Sequence, residues 1–216
     1  MLSSQFVRNA DIISAPLGEF MTKCYIIRNK KECLIVDPAD EPETINHFLE
    51  TSFKGSNVNF ASTTGRRDHM KAIKALADKF PEAKYYISKK DHDQFVKNLE
   101  IIGVTKKLDI KDVNDGDKIM VDDEDFKVIE VGTPTSGGIA LYSYGSAVVI
   151  TGESIPTEDP RYVDKLLPHE IKSISNKILT LPDRTIIMSS HGPDSKVRTE
   201  KKRFEIRFPK SKLVKQ

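Results

Sequence analysis

The chain has 216 residues, 38% hydrophobic and 31% charged, with a formal net charge of +2. That length suits a single domain with a proper core, and the composition is that of an intracellular, soluble globular protein. No apolar run approaches the ~20 residues needed to cross a bilayer, and two cysteines, Cys24 and Cys33, suit buried thiols in a reducing compartment rather than a disulfide framework.

The opening stretch, Met1-Leu2-Ser3-Ser4-Gln5-Phe6-Val7-Arg8-Asn9, has no acid before Asp11. It is similar to the short presequences of hydrogenosomal and some mitochondrial matrix proteins. Residues 1–10 are therefore set apart as either a short targeting leader or a disordered terminus, and the compartment is cytoplasmic or an organelle matrix of that type. Cys24–Arg28 and Cys33–Asp37 are β-rich runs joined by Asn29-Lys30-Lys31-Glu32, which reads as a hairpin. Asp40 is placed to cap a helix with Pro42 in its first turn, and Ile45, Phe48 and Leu49 share one face.

Residues 58–62 form a short strand, and Ile73, Leu76, Ala77 and Phe80 recur at helical spacing up to Pro81. Strands follow at 84–88, 118–121, 126–131, 147–151 and 185–189, with a turn at Asn114-Asp115-Gly116-Asp117. Ile171, Ile174, Ile178 and Leu181 mark a late amphipathic helix. The domain is expected over 11–195. Beyond it, residues 196–216 hold nine Lys or Arg against Glu200 and Glu205, a balance of +7 that leaves the rest of the chain at −5. Such a basic tail is either a solvated end or a holder of phosphates.

Thr63-Thr64-Gly65-Arg66-Arg67-Asp68-His69 lies between a strand and a helix. It resembles the His-x-His-x-Asp-His signature of the metallo-β-lactamase superfamily, with Thr64 and Arg66 where the first two histidines belong. Pro16-Leu17-Gly18, Cys24-Tyr25-Ile26-Ile27 and Ile35-Val36-Asp37-Pro38 look like the opening hairpins of its glyoxalase II-like branch. Asp115-Gly116-Asp117, Thr151-Gly152-Glu153 and Ser190-His191-Gly192-Pro193 match later landmarks, with Glu153 in place of an aspartate. The resemblance implies an α/β four-layer fold: an αββα sandwich of two mixed β-sheets flanked by helices, with the site on strand-end loops at one edge.

Members of that family hold two metals. The positions of the first set read Thr64, Arg66 and, in a loop aligned only to within a residue, Pro134. A hydroxyl is a poor zinc ligand, a guanidinium has no lone pair to give, and proline has no side-chain donor. The resemblance assigns the second set to Asp68, His69, Glu153 and His191, enough for one zinc, or for iron or manganese with waters. The expected cofactor is therefore none or one such ion. Arg66 is also suited to take the place of a dication, by pairing with Asp68 and Glu153. Simpler roles stay open: Asp68 as a helix cap, His69 and His191 as hydrogen-bonded core histidines, Glu153 as an Arg-paired carboxylate, and Gly137-Gly138 as a tight turn. His47, His92 and His169 are assigned nothing.

Three functions follow. The first is a non-catalytic or weakly active binding or assembly protein that holds an anionic small molecule against Arg66 and Arg67, or docks on a protein. The second is a mononuclear thioester hydrolase of the glyoxalase II type, with Asp68 and Arg66 as its catalytic groups. The third, least expected, is a nucleic-acid-associated factor using the basic tail with Phe204 and Phe208. Gly-x-Ser-x-Gly, Gly-x-x-x-x-Gly-Lys and Cys-x-x-Cys are all absent, so no other chemistry is announced.

Overall fold

A computed structural model describes residues 3–7, 10–155, 157 and 166–209. Seven strands form the first sheet, in chain order: β1 (Ser3–Val7), β2 (Ala10–Leu17), β3 (Thr22–Asn29), β4 (Glu32–Val36), β5 (Asn57–Ala61), β6 (Lys84–Ser88) and β7 (Asp109–Val113). The first four pair antiparallel and the last four parallel. The second sheet runs β13 (Ser195–Lys196), β12 (Ile186–Ser189), β11 (Val148–Gly152), β10 (Ile139–Ser143), β9 (Glu124–Glu130), β8 (Lys118–Val121). Only β11 and β12 are parallel there.

Helices α1 (Pro42–Thr51), α2 (Ile73–Lys79) and α3 (His92–Ile101) cover the first sheet, and α4 (Pro168–Lys177) and α5 (Val197–Arg207) cover the second. The alternation along β3 and β4 explains the layering. Cys24, Ile26, Cys33 and Ile35 pack under α1–α3, whereas Tyr25, Ile27, Leu34 and Val36 enter the space between the sheets. A strand buried on both faces needs such an unbroken apolar run, because each period-2 set has its own core to fill. Each fully buried aliphatic side chain contributes about 1.5–3 kcal/mol. The Tyr25 hydroxyl donates to Ser189 O at 2.8 Å, tying the two sheets together beneath the loops. This is the expected αββα sandwich.

Both cysteines are buried and free. Burial pushes the Cys33 thiol up to about 12, and burial followed by the nearby Asp37 charge raises Cys24 as well, so neither is a ready nucleophile. No helix among the described residues is long and apolar enough to cross a membrane.

Four expectations need correction. The N-cap of α1 is Glu41 in the left-handed region, not Asp40; Asp40 accepts from Glu41 N at 2.9 Å. The segment set apart as residues 1–10 contributes β1, whose Ser3–Val7 pairs with Ala10–Ser14. The domain does not end at 195. Lys196 belongs to β13, and α5 buries Val197 completely and Phe204 almost so, because these two, seven residues apart, share one face of the helix, whereas Ile206 stays 82% exposed. Phe204 is therefore buried on the core, with the half-buried Phe208 beside it at 5.3 Å between ring centroids, so Phe204 is not free to stack on a base. Residues 210–216 of the basic tail lie outside the described residues.

Candidate metal centre

The site is assembled from strand ends. Asp37 follows β4, Thr63 to His69 follow β5, Asp91 closes a short turn after β6, Glu153 follows β11 and His191 follows β12. Each is carried past the carboxyl end of its strand, where an α/β sheet leaves a crevice lined by loops. Gly152 makes the approach possible: it has φ +55°, and a Cβ there would sit 2.4 Å from Thr63 Oγ1. Without a side chain, β11 closes on the loop and presents Glu153 to it.

Asp68, His69 and Glu153 come together, each offering a ligand atom within 4.8 Å of the others. His69 is fully buried. Its Nδ1 lies 3.1 Å from Asp37 Oδ2 and its Nε2 3.5 Å from Glu153 Oε2, but neither nitrogen makes an aligned hydrogen bond. His191 reaches the other Glu153 oxygen, Nε2 to Oε1 at 3.5 Å. Three of the four expected second-site residues thus form one cluster, and His191 touches it only through Glu153.

A cation is already there. Arg66 Nη1 lies 3.0 Å from Glu153 Oε2, while its Nε and Nη2 donate to the two oxygens of Asp68, each at 3.3 Å. Arg66 thus bridges the two carboxylates, as the sequence suggested. Asp68 makes no helix cap; it belongs to a 3-10 turn, Arg67–His69, with no side-chain cap bond.

Electrostatics follow from that packing. Burial pulls the His69 pKa down, but Asp37 and then Glu153 outweigh it, so the imidazole is raised to about 10. Burial opposes the Glu153 charge, yet its close polar contacts with His191 and His69 and the charges of His69 and Arg66 prevail, holding the carboxyl well below its usual range. The imidazolium and the guanidinium together neutralise most of the charge on Asp37, Asp68 and Glu153. Such pairing is what buried carboxylates require.

The expected first-set positions look different. Thr64 Oγ1 lies 3.1 Å from Thr135 Oγ1, so Thr135 rather than Pro134 is the loop residue that faces it. Thr135 in turn donates to Asp91 Oδ2 at 2.6 Å. Asp91, 2% exposed, also accepts from Gly65 N at 2.8 Å and Gly137 N at 3.0 Å. A Cβ on Gly137 would lie 2.5 Å from Asp91 Oδ1, which is why a glycine stands there. Gly138 N closes a turn on Thr135 O at 3.0 Å, in keeping with the tight-turn reading.

Two residues essential to this arrangement were missed from the sequence. Asp37 is fully buried, with Thr63 N and Oγ1 donating to its oxygens at 2.8 and 2.7 Å and His69 beside it. The only signal was an acid directly after the apolar run Cys33–Val36. Asp91 had none, because its donors come from loops 26 and 46 residues away.

A sequence model of the metallo-beta-lactamase superfamily matches residues 68–191. The chain belongs to that superfamily. It is similar to the probable metallo-hydrolase YqgX of Bacillus subtilis, 24% identical over 196 residues that cover 86% of this chain and 92% of that one. It is also 24% identical over 172 residues to a hydroxyacylglutathione hydrolase of Aeromonas hydrophila, covering 77% of this chain but 59% of that longer protein. In fold it is similar to the BLEG-1 B3 metallo-beta-lactamase, with a TM-score of 0.73 at 23% identity over 93% of this chain and 96% of the other.

Members of this superfamily typically depend on metal, so the donors must be tested against one. The Thr64 side does not fit a divalent ion: its hydroxyls and Asp91 are spent on one another and on backbone amides. The Asp68 side has the right donor set. Its His69 nitrogens are buried without an aligned hydrogen bond, although Nδ1 lies beside Asp37 and Glu153 Oε2 is already paired with Arg66. An ion there competes with the Arg66 guanidinium and with the proton on His69.

Proposed function

We propose that this metallo-β-lactamase-superfamily chain acts chiefly by binding, with the dinuclear hydrolytic centre of its fold replaced by Arg66. The observation that carries this is the guanidinium spanning Asp68 and Glu153. A permanent cation with five donors satisfies the carboxylates but offers neither an electron-pair acceptor nor an exchangeable water. Two-metal catalysis stabilises both attacking and leaving oxygens, and losing one Lewis acid costs orders of magnitude in rate. The exposed side of Arg66, with Arg67 next to it, suits a small anion.

Elemental analysis of the purified protein is the test. The binding reading expects less than a tenth of an equivalent of zinc, iron or manganese, and no turnover of lactoylglutathione after metal supplementation. Two equivalents of metal with turnover would overturn it.

The gathering of Asp68, His69 and Glu153 favours a second reading, a mononuclear thioester hydrolase. There Asp68, His69 and Glu153, with His191 alongside, would hold one divalent ion, and the chemistry supplied when it is bound is Lewis acidity. Arg66, released from the carboxylates, would then face the substrate carbonyl oxygen as a donor. One equivalent of zinc, lost in His191→Ala together with activity, is the result that selects this reading.

A further inference from the structure

Beside the carboxylate cluster, the same loop borders a second, open space that shares Arg66 and Asp68 with it. A cavity of about 610 Å³ lies between the Arg66–Asp68 turn, α3 and the β2–β3 turn. Its size is that of pockets which bury a small organic ligand. On one side stand Arg66, Arg67 and Lys71, with Asp68 as the only acid in the lining. Arg66 is committed to Asp68 and Glu153, and Lys71 lies 3.4 Å from Asp40. No carboxylate among the described residues pairs with Arg67, which is exposed beside them.

The lining is also apolar: Phe20 is 56% and Ile101 53% exposed, Ile102 continues from Ile101 into the core, and the Lys71 ammonium stands 5.4 Å from the Phe20 ring centroid. Single exposed hydrophobics need no explanation. Here they line the same cavity as Arg67, whose guanidinium has no carboxylate partner among the described residues, together with Gln94 and Asn98, the latter donating to Gly65 O at 2.7 Å. A bare anion leaves Phe20 and Ile101 in water, and an uncharged apolar molecule leaves Arg67 without a partner. A molecule with one anionic head and a short apolar body satisfies both.

We infer that this cavity binds a small soluble amphiphilic anion, a carboxylate or phosphate monoester on a short hydrocarbon chain, with its head on Arg67 and its chain against Phe20 and Ile101. The inference names the ligand class for the binding role proposed above and rests on that reading. A guanidinium–phosphate or guanidinium–carboxylate pair supplies direction, and the apolar wall supplies burial of about 0.8 kcal/mol per methylene.

Titration calorimetry on the full chain, with hexyl phosphate as the probe, tests it. Saturable 1:1 binding is expected, at least tenfold tighter than either inorganic phosphate or hexanol. Arg67→Gln and Phe20→Ser, both at exposed positions, are each expected to weaken it about tenfold at unchanged thermal stability. Equal affinity for hexyl phosphate and inorganic phosphate, or an Arg67→Gln variant that binds as the parent does, would overturn the inference. So would co-sedimentation with phosphatidylglycerol vesicles that disappears in Arg67→Gln, since the partner would then be a membrane surface. Metal content is measured separately: two bound metals sink the functional reading whatever hexyl phosphate does, whereas failed binding with no metal sinks only this ligand.

Discussion

The two halves of the strand-end site hold together by different physics. Around Thr64 and Thr135 the loops are pinned by polar donors, two amides and a hydroxyl, converging on the single carboxylate of Asp91. Around His69 the groups are charged, three carboxylates facing a guanidinium and an imidazolium. A metal ion usually does both jobs, drawing loops together and cancelling charge. In this chain the jobs are separated, one to each side.

Removing the acceptor on the hydrogen-bonded side should have the largest effect. Asp91→Ala strands the buried Gly65 and Gly137 amides and the Thr135 hydroxyl, with an expected loss of about 3–5 kcal/mol in denaturant unfolding. A loss below about 1 kcal/mol would show that the loops are held by something else.

On the charged side, pH is the probe. His69 is raised from 6.5 to about 10, so the stability its imidazolium provides is fully present below pH 6.5 and disappears as pH rises through about 10. Glu153 is lowered, so its contribution is present above its ordinary 4.5 and is lost as the solution is acidified below that. Metal-free protein should lose stability between pH 6.5 and 10, and His69→Gln should remove that slope. Parallel curves for parent and variant would contradict the assignment.

Arg66→Ala tests the division of labour directly. Stability should fall by about 1 kcal/mol, because the guanidinium is partly exposed. Zinc uptake should rise toward one equivalent by elemental analysis, as Asp68 and Glu153 lose their competitor. Arg67→Ala, which breaks no pair among the described residues, should leave the unfolding midpoint within about 0.5 kcal/mol of the parent's.

Most strands were legible because buried strands need apolar runs: β6 and β8 match their expected bounds, and the β3–β4 hairpin is as anticipated. Strands β1, β2, β7, β10 and β13 and helices α3 and α5 were not. The buried residues of β2 alternate with half-buried ones, and α3 carries only Phe95 and Leu99 into the core among charged neighbours, so the periodic signal is thin. At the site, the chain motif announced Asp68, His69, Glu153 and His191 as a group. Asp91 was silent, and Asp37 showed only as an acid ending an apolar run, because a buried acid declares itself through its donors, and those lie far away in the chain.

What the sequence by itself determined was the identity of the donors: Thr64 and Arg66 stand where imidazoles would be needed, and no folding can give them a nitrogen lone pair. What only the tertiary structure decided was how those substitutions are compensated. Distance makes that decision: Asp68 is Arg66's neighbour two residues along the chain, but Glu153 comes within 3.0 Å of the guanidinium only because the loops after β5 and β11 meet, and Coulomb energy depends on that separation rather than on order in the chain.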